Sequence, residues 1–234
     1  MADMAALTAA VAAGDRKAAA DEVSLKIDEG VSPQAILDAM TLAMDDVGQR
    51  FSNNEIFVPE MLLAARAMKA AMALLEPMLL DAGITPDVCA VLGTVKGDLH
   101  DIGKNLVGMM WKGANFKVVD LGVNVEPRAF ADAVVEHEAS VVGLSALLTT
   151  TMTGMRDAIT EVRATGRPVA VIVGGAPVTA EFAASIGADG YAPDAASAVV
   201  AARGALDRAA REAVDRTTGP DASADAEPAG APAR

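Results

Sequence analysis

Near residue 87 the hydrophobic pattern of this chain changes period, and that change limits the folds open to it. Up to about residue 86 apolar residues recur every three or four positions, β-branched runs are absent, and Ala, Leu and Met dominate, the pattern of packed helices. From Asp87 onward short β-branched runs alternate with helical segments, as in parallel strands joined by crossover helices. The expected fold is α/β: a four-helix bundle over residues 1–86, then a doubly wound parallel sheet of five strands over 87–214.

Two short helices are expected near 3–13 and 15–29, parted at Gly14 and Asp15 and closed by Gly30. Ser32 caps a third, with Pro33 at its first position, and Ser52, Asn53 and Asn54 end it. Pro59 opens the fourth, where Val58, Met61, Leu62, Ala65, Met68, Met72 and Leu75 form one apolar stripe. Strands are expected at 88–95, 116–121, 141–147, 169–174 and 188–191, with helices near 101–113, 127–138, 151–165, 178–186 and 195–214. Such a sheet binds ligands beyond the carboxyl ends of its strands. Residues 215–234 are expected to be a disordered tail, because from 217 on no Val, Ile, Leu, Met or aromatic offsets the entropy of ordering.

Charge narrows the partners. A net charge of −13 repels phosphate backbones and anionic lipid heads, so neither nucleic acid nor a membrane surface is expected. Arg66, Lys69 and Glu76 interrupt the most apolar stretch, and Asp3 stands where a secretory signal needs positive charge; a cytoplasmic protein is expected. The single cysteine, Cys89, lies in an apolar run and reads as a structural thiol. His137, between Glu136 and Glu138, reads as a surface group, and Trp111 as helix packing.

The segment that carries chemistry is Gly97-Asp98-Leu99-His100-Asp101-Ile102-Gly103, directly after the first strand. Gly93-Thr94-Val95-Lys96-Gly97, leading into it, lacks the second glycine followed by Lys and Ser or Thr of a phosphate-binding loop, which disfavours a nucleoside triphosphate. Asp98 stands two residues from His100, so its carboxylate can hold one ring nitrogen and leave the other's lone pair outward, as in a metal-ligating histidine. Taken alone, the segment also fits a loop histidine held by a neighbouring carboxylate for no chemical purpose.

The segment resembles the Asp-x-His-x-x-Gly motif of cobalamin-binding proteins of the methionine synthase type. Forty-one residues after Gly103 comes Ser145-Ala146-Leu147, similar to the family's Ser-x-Leu; twenty-six further on comes Gly174-Gly175, similar to its Gly-Gly. Phe57-Val58-Pro59-Glu60-Met61 looks like the start of the family's helical cap. The resemblance covers about 200 residues and is nearest to the stand-alone corrinoid proteins of methyltransferase systems.

That resemblance implies a Rossmann-like, flavodoxin-like domain binding cobalamin (methylcobalamin or a related corrinoid), with His100 beneath the cobalt in place of the cofactor's own benzimidazole. It implies a relay of His100, Asp98 and Thr151, where Thr151 replaces the family's serine. Cofactor contacts fall by resemblance on Gly97, Leu99, Asp101, Gly103, Leu147 and Thr149 as well, with Ser145 bonding the displaced base. Gly174 and Gly175 would let the nucleotide tail lie against the fourth strand, with Ala195 beside it, and Phe51, Val58 and Met61 would cover the upper face of the corrin. The implied function is a methyl carrier serving barrel-type methyltransferases on the donor and acceptor sides, re-reduced by a corrinoid reductive activase. The chain itself is too short to hold such a barrel, which needs about 250 residues. Two other readings stay open: an adenosylcobalamin module (a mutase small subunit or a light sensor), and a cofactor-free signalling or scaffold domain.

Overall fold

A computed structural model describes residues 3–86 and 88–218. The helical part comprises α1 (Ala5–Ala12), α2 (Arg16–Asp28), α3 (Pro33–Ser52) and α4 (Val58–Asp81). Local chemistry sets these limits. The Asp15 carboxylate accepts the Ala18 N–H at 2.9 Å and the Ser32 hydroxyl accepts the Ala35 N–H at 3.3 Å, each satisfying a helix-end donor. α4 ends with Gly83 at φ +70°, where Gly83 N–H reaches the Leu80 carbonyl and Ile84 N–H that of Leu79, the paired closure of a glycine-terminated helix.

The second part runs β1 (Val88–Thr94), α5 (Ile102–Gly113), β2 (Phe116–Asp120), α6 (Pro127–Glu136), β3 (Val141–Ser145), α7 (Thr153–Ala164), β4 (Ala170–Gly174), α8 (Ala180–Ser185), β5 (Gly190–Ala192) and α9 (Ser197–Thr218). All neighbouring strands pair in parallel, in the order β2-β1-β3-β4-β5. The expected four-helix bundle and five-stranded doubly wound sheet are both present. α9 continues past the expected boundary at 214, while residues 219–234, most of the expected tail, lie outside the described residues.

Alternation along the strands divides the core. Ala90, Leu92, Val141 and Ile172 face a cluster with Trp111, Ala198 and Ala202 of α5 and α9; Val91, Val142 and Val171 face one with Phe130, Met155 and Val162 of α6 and α7. The first cluster continues without a break into the bundle through Met40, Met44 and Leu75. Close backbone approach makes this joint possible. A Cβ on Gly48 of α3 would meet Met110 at 3.2 Å and Ala196 at 3.3 Å, and one on Gly113 of α5 would meet Met44 at 3.1 Å.

Candidate functional site

The strand order reverses between β1 and β3, and the loops after these strands meet at one buried carboxylate. Asp98 has no exposed surface, yet five donors reach it. Oδ1 accepts the His100 backbone N–H at 3.0 Å and lies 2.7 Å from His100 Nδ1. Oδ2 accepts the Leu147 N–H at 2.7 Å, the Leu148 N–H at 3.3 Å and the Thr151 hydroxyl at 2.7 Å. Burial alone would raise the Asp98 pKa, but the Leu147 N–H, the Thr151 hydroxyl and both groups of His100 outweigh it and hold the carboxyl well below the usual carboxylate range. An ionised carboxylate only accepts. His100 Nδ1 therefore carries a proton, and in the neutral ring, which is half-exposed, the lone pair is on Nε2.

This web explains why β3 stops at Ser145 rather than at the expected 147: after Ala146 the N–H groups of Leu147 and Leu148 turn away from the sheet toward Asp98. It also recruits residues that the motif did not announce. The Thr94 hydroxyl, fully buried at the end of β1, donates to the His100 carbonyl at 2.9 Å, and Asn124 Oδ1 accepts the Gly97 N–H at 2.8 Å. Lys104 is 3% exposed, and its ammonium bonds Asp120 at 2.6 and 2.7 Å and Asn105 Oδ1 at 2.7 Å, tying the first turn of α5 to the end of β2.

His100 borders a cavity of about 510 Å³ beyond the strand ends, walled by α5, α9, the bundle and the loops after β1, β3, β4 and β5. Of the residues expected at the site, Phe51, Leu99, His100, Asp101 and Gly103 line it, as do Ser145, Leu147, Gly174, Gly175 and Ala195. Asp98 and Thr151 sit behind the histidine, and Gly97 turns the loop at φ +82°. Three others stand apart: Thr149 is exposed in the loop after β3, Val58 is half-buried at the start of α4, and Met61, 2% exposed, packs in the bundle core. Trp111 does pack, donating from Nε1 to the Ala198 carbonyl at 3.1 Å, but it also forms part of the cavity wall.

The glycines of the site differ in what they permit. A Cβ on Gly175 would fall 1.9 Å from the Ala146 carbonyl oxygen, and one on Gly174 would fall 2.8 Å from that of Ala192. Backbone crowding thus requires both glycines, whatever lies in the cavity. A Cβ on Gly103 would meet nothing within 4 Å, so that glycine opens space along α5.

Among the described residues no group of three or more His, Cys, Asp or Glu side chains could hold an ion, so His100 offers a single ligand. A metal held there has to bring its other ligands with it, as in a macrocycle, and an apolar cavity beside the free Nε2 suits one.

Two family models, both described as a B12 binding domain, match residues 88–200 and 4–76. Fold and site together define a B12-binding protein whose helical bundle is part of the binding unit. Dimethylamine corrinoid protein 3 of Methanosarcina acetivorans is 41% identical over 177 residues, 74% of this chain and 83% of that protein. A corrinoid protein of Desulfitobacterium hafniense is 35% identical over 199 residues, 82% of this chain and 92% of its own. The solved cobalamin-binding protein from Desulfitobacterium hafniense DCB-2 is similar at TM-score 0.76 and 32% identity, over 88% of this chain and 99% of that one. A chain of the methanol:cobalamin methyltransferase complex from Methanosarcina barkeri is similar at TM-score 0.73 and 26% identity, over 88% of this chain and 78% of that one. The chain belongs to the corrinoid proteins of methyltransferase systems, and its cofactor is a cobalamin.

Proposed function

We propose that this chain carries a methyl group on a cobalamin held in the cavity, with His100 Nε2 as lower axial ligand to cobalt, and presents it to methyltransferase partners in the cytoplasm. When bound, the cofactor supplies a cobalt centre that accepts a methyl group from a donor and releases it to an acceptor. The chain's own residues hold, orient and shield. Asp98 Oδ1 keeps the Nδ1–H engaged at 2.7 Å, which fixes the ring and its tautomer and aims Nε2 at the cavity.

Thr151 tunes that pair through one proton with two acceptors, Asp98 Oδ2 at 2.7 Å and the Leu148 carbonyl at 2.9 Å. Rotation toward Leu148 withdraws the bond from Asp98 and frees Oδ2 to hold a proton; rotation back favours the ionised form. Threonine thus performs the part that the family gives to serine. Gly103 leaves room beside α5 for the cofactor's nucleotide tail, and Ser145, at the end of β3, offers a hydroxyl to a polar atom of its base. Phe51 and the apolar wall exclude water. The partners are barrel-type methyltransferases for donor and acceptor and a reductive activase. Access for them requires the bundle to move about the 81–87 connection, where Gly83 sits in open space.

One observation carries this reading: a buried carboxylate with five donors serves to present one free imidazole nitrogen to a cavity. The test is reconstitution with hydroxocobalamin and comparison of visible spectra with His100→Ala. A shifted absorption in the variant is expected; identical spectra would exclude histidine ligation.

A further inference from the structure

A second cavity, about 650 Å³, opens far from the His100 loop, between α4, the connection after it, and the C-terminal end of α5 with edge strand β2. On α4 its wall includes Ala65, Met68, Met72 and Leu79, positions three, four or seven apart, and Ile84, Met109 and Phe116 close the other side. The α4 wall from Ala65 to Leu80 is about 22 Å long at helical rise, a trough rather than a compact pocket.

Its rim is basic in an acidic protein. Arg66, Lys69, Lys112 and Lys117 line it, and none makes an ion pair among the described residues, whereas Lys26, Lys96, Lys104 and Arg163 elsewhere are all paired. Among the described residues, Glu76 is the one acidic residue on the wall. Lys117 on an edge strand also discourages strand pairing, but that role does not extend to the three helical cations.

We propose that this trough docks an acidic amphipathic helix of a partner protein, apolar side chains against Met72, Leu80 and Met109 and carboxylates against the four cations. The occupant's length follows from the trough: about fourteen residues span it. The chain's own residues 219–234 are acidic but contain no side chain larger than Ala, Pro or a charged group, so they cannot fill the apolar wall. A membrane surface is a poor match for a concave site on a chain of net charge −13. The docked helix would touch both the bundle and the sheet domain across residues 84–86, and so would restrain their relative movement.

The test uses the full chain loaded with cobalamin and a fluorescent fourteen-residue peptide bearing Leu along one face and Glu on the flanks, beside a copy with Lys for Glu. Anisotropy should show binding of the acidic peptide only, weakened by salt, and weakened about tenfold or more by Lys69→Glu with Lys112→Glu. Hydrogen exchange should slow along residues 65–80 on binding. Equal binding of both peptides, or of neither, overturns the proposal. Displacement by decanoate at similar concentration would make the site one for small amphipathic anions instead. Stronger capture by phosphatidylglycerol vesicles would make it a lipid site, and binding gained only after truncation at Thr218 would make the tail its occupant.

Discussion

The two sides of the His100 cavity are built by different physics. Below, five directional hydrogen bonds on Asp98, with Thr94 behind the His100 carbonyl, fix one imidazole nitrogen within a narrow range of positions. Above, the bundle reaches the cavity through Phe51, and behind it α3 and α4 pack Ala and Met, including Met40, Met44, Met61 and Met68, held by non-directional contact among flexible side chains. A wired floor suits a residue that must bind at one point. A soft roof suits the proposed movement of the bundle, which would break few specific bonds. Among the described residues, the Asp45–Arg203 pair at 3.6 Å and the Ser52–Asp194 contact at 3.4 Å are the polar ties across that joint, and both are exposed and weak.

The largest effect should come from cutting the floor. Asp98→Ala leaves the Leu147 N–H and the Thr151 hydroxyl without their buried acceptor and should cost about 4 kcal/mol, lowering the thermal midpoint by roughly 10 °C. Acid titration sharpens this. Because folding depresses the Asp98 pKa, its contribution is complete above the unfolded value of about 4 and fades as pH falls below it. The stability gap between wild type and Asp98→Asn should therefore be constant at neutral pH and close in acid; a gap that widens on acidification would contradict the assignment.

Gly175→Ala should cost about 3 kcal/mol, since the added methyl meets the Ala146 carbonyl and φ is +131°. Gly103→Ala should leave thermal stability unchanged or raised by up to about 1 kcal/mol, because the methyl enters open space in a helix. Its effect should appear in weakened cobalamin affinity by titration. If both glycines behave alike, the distinction between them is wrong. Met61→Ala in the roof should cost about 2 to 3 kcal/mol in denaturant unfolding yet leave the cofactor's visible spectrum as in wild type. The smallest loss of stability is Thr151→Val, about 1 kcal/mol, with Thr151→Ser close to wild type.

The same division separates what the sequence reveals from what it conceals. His100 and Asp98 are two residues apart, so their pairing could be read from local spacing, and β-branched runs disclosed the first four strands, while the fifth followed from its place in the alternation of strands and helices. The other donors to Asp98 are mostly backbone N–H groups about fifty residues away, and every residue other than proline has one, so nothing in the side chains at 147 and 148 marks them. Gly174 and Gly175 were recognisable as a pair, but the carbonyls of Ala146 and Ala192 that demand them belong to other segments. On α4 the apolar stripe was plain, whereas a stripe does not say which of its residues meets the cavity. Met61 turns into the bundle, while Phe51, at the end of α3, reaches the site. Burial of Lys104 was equally hidden, because its partner Asp120 closes a different strand.

Electron paramagnetic resonance of the Co(II) form tests the central claim most directly, using protein grown with ¹⁵N-histidine and loaded with unlabelled cobalamin. Ligation by His100 predicts that the nitrogen superhyperfine pattern changes from triplets to doublets on labelling and is lost in His100→Ala. Triplets that persist in the labelled protein would show the cofactor's own base on cobalt and would contradict the account.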